Sequence, residues 1–372
     1  MSSQATPAQL GGRRHARALN PRTLLERFGL VIVLLAMIAL FSALLPGRFP
    51  TTTNLTITLS GQVSILMLAL AVTLPLRAGD FDLSVSSVMI ASASTVALLT
   101  SQEHFTVLPA VLIAVALAAL VGLINAAFVV GLGIDAFIVT LGTMTWLGGV
   151  TIAVTGGQDI TGIPHVLGTI ANTNLVGTVP TRVFYGWALA LILWYVYELT
   201  PFGRRLLFVG GNREAAQLSR LRVGRIRTAA FVASSVIAAS AGVVLLGALG
   251  AVDPTSSGAY LLQPYAAAFL GTTVIQFRRF NVLGTVVGVY LLAVGVSGLQ
   301  LLGVASWVSE VFNGVVLVAA VAIATVLRKS SLITGLALFR PRERARLLAP
   351  SESAAVPGST TQKEVPASAR DE

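Results

Sequence analysis

Residues 200–227 read TPFGRRLLFVGGNREAAQLSRLRVGRIR and separate two long apolar runs of the chain. This polar segment holds seven arginines and a single acid, Glu214, so its formal charge is +6. Short loops that are rich in arginine stay on the cytoplasmic side of a membrane. The segment therefore predicts a membrane protein with a basic cytoplasmic loop between two of its spans.

The composition of the whole chain agrees with this prediction. Its 372 residues are 55% hydrophobic and only 11% charged, with a mean hydropathy of +0.84. These values are typical of an all-α polytopic membrane protein. The net charge of +10 does not indicate nucleic-acid binding, because the arginines lie at the ends of apolar runs without interleaved aromatic residues. Without cysteine, the chain has no disulfide or thiol chemistry.

Ten apolar runs can be distinguished along the chain. A span across about 30 Å of hydrocarbon needs about 20 residues. Eight runs approach or exceed this length, namely 28–45, 55–76, 107–130, 136–154, 183–199, 228–250, 282–302 and 306–327. Two shorter runs, 85–99 and 265–276, are the lengths of re-entrant or broken helices. With ten crossings and a cytoplasmic N-terminus, 23 of the 25 basic residues lie inside, which satisfies the positive-inside rule.

We therefore expect about ten transmembrane helices, some short or broken, with both termini cytoplasmic. Residues 1–27 are hydrophilic and predict a cytoplasmic N-terminal tail, and residues 28–327 form the transmembrane domain. Residues 328–372 predict a cytoplasmic tail that is largely disordered, because its end is rich in Ser, Pro, Ala and charge and nearly lacks aliphatic residues.

Some chemistry is missing from the sequence. Glu310 is the one acid inside an apolar run, and the three histidines lie in tails or loops, which weakens the case for a proton- or sodium-driven carrier. Neither lysine follows the glycines of a phosphate-binding loop. Any ATP would therefore be hydrolysed by a separate polypeptide.

Residues 77–84, RAGDFDLS, separate the apolar runs 55–76 and 85–99. They predict a structural break at Gly79, Asp80, Asp82 and Ser84. Gly79 permits a turn, and Asp82 or Ser84 can accept hydrogen bonds from the free amides of the next helix. The simplest alternative is ordinary helix capping, with Arg77 contacting one of the carboxylates.

A second motif, GIDAFIVTLGTM at residues 133–144, places hydroxyl groups along a buried span. Thr140 and Thr143 are three residues apart and share a helix face. Asn125 lies in the preceding apolar run. Such groups either give hydrogen bonds along a route for a polar solute or pack helices together, with the hydroxyls bonded to helix carbonyls.

Three motifs, AGDFDLSVSSV, FIVTLGT and GGNREAA, resemble the permease subunits of ATP-driven (ABC) importers, specifically the ribose-type carbohydrate branch. The resemblance covers about residues 54–327. Ala136 stands where that branch usually has proline before FIVTLGT. Residues 271–281, GTTVIQFRRFN, replace a stretch that is glycine-rich in the branch, so the local path and the solute can differ from those of ribose permeases.

The resemblance implies a role for the segment 200–227, which we call the coupling segment. It would dock into a groove of the ATPase through a glycine-permitted turn and a short helix, with small residues allowing close approach. The residues concerned are Gly210, Gly211, Asn212, Glu214, Ala215, Ala216 and Ser219. A solute path would run past Asn125, Phe137, Thr140 and Thr143.

The resemblance also implies the function and the partners. The chain would be the permease subunit of an importer in the bacterial inner membrane, moving a sugar or sugar-like polar solute by alternating access. Its partners would be a cytoplasmic ABC ATPase, an external solute-binding protein and a second permease copy or paralogue. ATP and Mg would bind the ATPase, so this chain would carry no cofactor and catalyse no reaction. The alternatives are the branched-chain amino acid or nucleoside branch, and a stand-alone channel or secondary carrier.

Overall fold

The computed structural model describes residues 21–276 and 279–337. The chain divides into two compact units, residues 1–325 and 326–372, and the description below concerns the first. The predicted N-terminal tail up to residue 20 and the predicted C-terminal tail beyond residue 337 lie outside the described residues.

The described part of the chain is helical almost throughout. Its helices are α1 (Pro21–Leu44), α2 (Thr52–Gly61), α3 (Val63–Arg77), α4 (Val85–Ser101), α5 (Val107–Ala126), α6 (Ala136–Thr155), α7 (His165–Asn172), α8 (Thr181–Leu199), α9 (Pro201–Gly211), α10 (Arg213–Leu218), α11 (Val223–Leu249), α12 (Leu262–Gly271), α13 (Val282–Leu301) and α14 (Ser306–Ala337). A π-helical segment, Ala127–Gly131, extends α5, and a 3-10 turn, Ser256–Tyr260, precedes α12. One antiparallel hairpin joins β1 (Asn174–Val176) to β2 (Val179–Pro180).

The all-α membrane fold is confirmed. Within the described residues, five helical stretches are long and apolar enough to cross a membrane. They are Thr52–Arg77, Val107–Gly131, Ala136–Thr155, Val223–Leu249 and Val282–Leu301. A sixth is present if α8 and α9, which are bent by 73°, are counted as one broken span. Every predicted apolar run coincides with a helix, although the run at 265–276 is helical only to Gly271.

The core lies around α3 and α11. Every residue of α3 except Ile65 is buried, as expected for a helix that is apolar on all sides. Helix α11 packs against α3, α4 and α5, and α12 packs between α13 and α3. By contrast, α6 buries few positions, among them Ala136, Thr140, Thr143 and Thr151, and these lie along one side of the helix.

Glycines at helix crossings let the backbones approach closely. An ideal Cβ built on Gly242 of α11 would overlap the carbonyl oxygen of Met89 in α4. On α13, a Cβ at Gly288 would overlap the carbonyl oxygen of Ala267 in α12. Small residues at such crossings are the usual device for packing helices in a membrane, where lipid removes the hydrophobic drive for association.

We therefore predict that Gly242→Ala destabilises the protein by about 1–3 kcal/mol, the typical cost of overpacking a well-packed interior. Gly149→Ala is the matched control, because nothing lies within 4 Å of the ideal Cβ of Gly149 in α6. Thermal unfolding in detergent measures both variants. Equal melting temperatures for Gly242→Ala and the wild type would contradict the close α4–α11 crossing.

Candidate functional site

The connection between α3 and α4, residues 78–84, forms the predicted break. Gly79 has a φ of +82°, a conformation that glycine adopts without strain, so the predicted turn is confirmed. The next residue, Asp80, is buried with its side chain only 3% exposed. An acid in this position needs a cationic partner, because an unpaired buried charge is costly.

Two arginines of the coupling segment supply that partner. Arg213 Nη2 lies 2.6 Å from Asp80 Oδ1. Arg227 donates from Nε to Oδ2 at 2.7 Å and from Nη2 to Oδ1 at 2.8 Å, which is a bidentate ion pair. We call these three residues the Asp80 clamp. The clamp joins the break to α10, which carries Arg213, and to the N-terminal part of α11, which carries Arg227.

Local structure aims Arg213 at the break. Asn212 is the N-cap of α10, and its side chain accepts a hydrogen bond from the amide of Ala215 at 3.0 Å. This cap starts α10 at Arg213, whose Nη2 also donates to the carbonyl oxygen of Gly79 at 3.0 Å. The short helix predicted after Asn212 is therefore present.

The turn predicted over Gly210, Gly211 and Asn212 is present only at Asn212, and the glycines do not form it. Both residues lie in the last turn of α9, and neither has a positive φ. The chain turns instead at Asn212, whose backbone is extended (φ −157°, ψ 106°). Gly210 is needed for another reason: an ideal Cβ there would overlap the carbonyl oxygen of Arg77. The glycine lets α9 touch the end of α3.

The predicted contact between Arg77 and a carboxylate does not form. The buried Arg77 side chain donates from Nη1 to the carbonyl oxygen of Phe280 at 3.1 Å. Its guanidinium carbon lies 4.3 Å from the centre of the Tyr197 ring. Arg77 thus holds the connection between α12 and α13, part of the stretch that differs from the glycine-rich family pattern. Residues 277 and 278 of that stretch lie outside the described residues.

Asn281 organises the same connection and was missed in the sequence. Its side-chain oxygen caps α13 by accepting from the amide of Gly284 at 2.6 Å. Its Nδ2 donates to the carbonyl oxygens of Gly271 (2.8 Å) and Val274 (3.1 Å). Asparagine before an apolar helix is a recognised N-cap signal. The capping role of Asn281 could therefore have been predicted from the sequence.

The second acid of the break, Asp82, is completely buried. Its Oδ1 accepts from the amide of Ser84 at 3.2 Å and from the Ser84 hydroxyl at 2.5 Å. Its backbone amide donates to the hydroxyl of Tyr265 in α12 at 3.2 Å. Asp82 lies in the connection, outside both flanking helices. Burial raises the pKa of its carboxyl to about 6, against the opposing effect of the hydrogen bonds from Ser84.

A chain of hydrogen bonds continues from Ser84 into α5 and α6. Asn125 donates from Nδ2 to Ser84 Oγ at 2.9 Å, and its Oδ1 accepts from Thr143 Oγ1 at 2.6 Å. Thr140 Oγ1 accepts from the amide of Leu83 at 3.1 Å and donates to the carbonyl of Ala136 at 2.7 Å. The structure therefore brings these predicted residues together, buried and bonded to the break.

Phe137 differs from the other predicted path residues. Its side chain is 48% exposed, and its ring meets that of Phe81 edge to face at 6.5 Å. Both rings border a groove of about 680 Å³ between the break, the π-helical segment and the start of α6. The charged residues along this groove are Asp80, Asp135, Arg213 and Arg227.

The burial of α10 divides the predicted docking residues into two sets. Ala216 is completely buried in the core beneath α10, so the prediction that it lines an external docking surface is wrong. Gly210, Gly211, Asn212, Glu214 and Ser219 are exposed, and Ala215 is half-buried. Leu218, which the sequence analysis missed, is 87% exposed. Residues two apart on a helix point in roughly opposite directions, so an inward Ala216 implies an outward Leu218.

Comparison with known proteins places the chain in a family. Residues 54–321 match the model described as "Branched-chain amino acid transport system / permease component". The chain belongs to this permease family. Among similar proteins is the ribose import permease protein RbsC of Escherichia coli K12, 31% identical over 324 residues, covering 85% of this chain and 98% of the relative.

Two further relatives extend the comparison. The ribose import permease protein RbsC of Bacillus subtilis is 31% identical over 303 residues, covering 80% of this chain and 92% of the relative. The D-allose transport system permease protein AlsC of Escherichia coli K12 is 27% identical over 305 residues, covering 82% and 93%. No solved structure matches the chain. Within the part that the structure describes, no group of three or more His, Asp or Glu residues could hold a metal ion.

Proposed function

We propose that this permease is the membrane-spanning subunit of a bacterial inner-membrane ABC importer that moves a sugar or sugar-like polar solute by alternating access. The relatives, which are permeases for ribose import and D-allose transport, support the sugar class. The alternative solute is a branched-chain amino acid, because the family model is described as a permease component of branched-chain amino acid transport.

One observation carries the proposal: an exposed basic segment is bonded to a buried break in the spans. The Asp80 clamp joins the coupling segment directly to the connection between α3 and α4. A partner that binds the exposed side of α10 can therefore act on the spans. In an ABC importer this partner is the cytoplasmic ATPase, which binds ATP and Mg, so the permease itself needs no cofactor.

We assign the ATPase contact to the exposed side of α10. Leu218 is the residue most suited to anchor it, because a partner that covers this exposed side chain removes its apolar surface from water. Glu214, Gln217 and Ser219 are exposed beside it and can form the polar rim. An external solute-binding protein and a second permease copy or paralogue complete the proposed assembly, with two-fold symmetry if the copies are identical.

Co-purification with the partner ATPase tests the proposal and the docking surface together. The wild-type chain should hold the ATPase, and Leu218→Asp should lower its recovery at least tenfold, because the charge would be buried in the interface. Leu175→Asp is the control, since Leu175 is similarly exposed, at 61%, but lies in the β1–β2 hairpin.

The outcomes separate the alternatives. Equal loss of the ATPase with Leu218→Asp and Leu175→Asp would contradict docking at α10. Solute uptake by the wild-type chain in liposomes without any ATPase or ATP would contradict the ABC proposal and favour a stand-alone channel or secondary carrier.

We propose ten crossings with both termini cytoplasmic. The support is the distribution of basic residues: Arg48 and Arg182 alone would lie outside. A reporter enzyme that works only in the cytoplasm should be active when it is fused after Arg346. Activity restricted to the external side would contradict the ten-span topology.

We also propose that the solute passes Asn125, Phe137, Thr140 and Thr143. Hydroxyl and amide groups along an apolar wall can bind a sugar weakly, without charges that would hold it tightly. The exposed ring of Phe137 on the polar groove supports a route at this side of the molecule. The competing role for the other three residues is to bond the break to α5 and α6.

Thr143→Val distinguishes the two roles. A route for the solute predicts that uptake by the assembled importer falls several-fold. A packing role predicts normal uptake with a stability loss of about 1–3 kcal/mol, because Asn125 Oδ1 would lose its partner in a buried site. Thr145→Val is the control, since Thr145 is exposed and bonds only to the carbonyl of Leu141 in its own helix. Unchanged uptake in Thr143→Val, Thr140→Val and Asn125→Leu would contradict the route.

A further inference from the structure

We infer that Asp80 is the positioning residue through which the coupling segment moves the α3–α4 break during transport. The inference rests on the proposed function, since it concerns how the motion of a bound ATPase reaches the membrane interior. Asp80 touches neither the ATPase surface of α10 nor a solute in this scheme. It acts through the arginines that it holds.

The first argument is the geometry of the clamp. The carboxylate of Asp80 accepts one hydrogen bond from Arg213 and two from Arg227, with donor–acceptor distances between 2.6 and 2.8 Å. Charge-assisted bonds of this length are strong and directional. Water is largely excluded from the Arg227 side chain, which is 12% exposed, whereas the Arg213 side chain is 41% exposed. Arg213 also holds the carbonyl of Gly79. A displacement of α10 therefore has to displace residues 79 and 80.

The second argument is a steric contact beside the clamp. Gly210 of α9 lies so close to the carbonyl oxygen of Arg77 that a Cβ would overlap it. The Arg213 side chain pulls on the break when α10 moves away, and the backbone at Gly210 pushes on it when α9 moves in. Together the two contacts transmit motion in both directions, which a lone surface ion pair does not do.

The third argument is what the break is bonded to. Leu83 and Ser84 are hydrogen-bonded to Thr140 in α6 and Asn125 in α5, and Asp82 is bonded to Tyr265 in α12. A shift of residues 79–84 therefore reaches three helices through direct hydrogen bonds. Asp80 is the residue at which this interior network meets the exposed coupling segment.

The functional test is the amount of solute transported per ATP hydrolysed by the complete importer in liposomes. We expect this ratio to fall at least tenfold in Asp80→Asn and several-fold in Arg213→Gln, with partial recovery in Asp80→Glu, which retains the charge. Arg225→Gln is the matched control, because Arg225 is exposed on the same turn of α11 as Arg227 and forms no ion pair among the described residues. A wild-type ratio in both Asp80→Asn and Arg213→Gln would overturn the inference.

A second measurement does not depend on transport or on the ATPase. The chain contains no cysteine, so spin labels can be attached at Phe81→Cys in the break and Gln217→Cys on α10 without further changes. Both positions are exposed. In the isolated chain in lipid nanodiscs, we expect one narrow distance distribution when Asp80 is present and a clearly broader one in Asp80→Asn.

The labelled pair is measured in the isolated chain only, because Gln217 lies on the side of α10 that we assign to the ATPase. Equal widths in the isolated chain with and without Asp80 would overturn the inference even if the importer works. Failure of the wild-type complex to couple ATP to uptake would instead overturn the proposed function. The nanodisc result would then show whether Asp80 holds the break to α10.

Discussion

A non-helical connection buried among helices must find protein partners for its polar groups, because a buried polar group without a hydrogen bond is costly. Arg227 binds the carboxylate of Asp80, and four further neighbours bind the other polar groups of the break at residues 78–84. Arg213 binds the carbonyl of Gly79, Tyr265 binds the amide of Asp82, and Thr140 binds the amide of Leu83. Asn125 binds the hydroxyl of Ser84. These bonds draw α5, α6, α10 and α12 onto one point of the chain, and the candidate site is built around it.

The same constraint explains why the coupling segment has two distinct sides. Its inner side must neutralise Asp80 and pack on the core, which occupies Arg213, Arg227, Gly210 and Ala216. The residues that are not used on the inner side form its outer side, and they include the nearly fully exposed Leu218. A segment arranged in this way can bind a partner with one side while the other holds the membrane domain, which is the arrangement that an ATP-driven importer requires.

Aromatic residues link the break to the second irregular connection of the fold, between α12 and α13. The ring of Phe81 is stacked on Tyr265 at 6.3 Å, and it also lies 6.3 Å from Phe269. Arg77 adds a hydrogen bond to the carbonyl of Phe280. These contacts pack the break against α12 and against the connection between α12 and α13.

The sequence by itself determined the apolar helices, the break at Gly79 and the short helix after Asn212. These depend on local properties: hydropathy over a span length, and the freedom of φ at a turn. It also carried the motifs that place the chain in its permease family. The partner of Arg77, the close approach at Gly210 and the burial of Ala216 were decided by the tertiary structure. Each depends on which distant helix lies alongside, and residues more than a hundred positions apart, such as Asp80 and Arg213, leave no local pattern that pairs them.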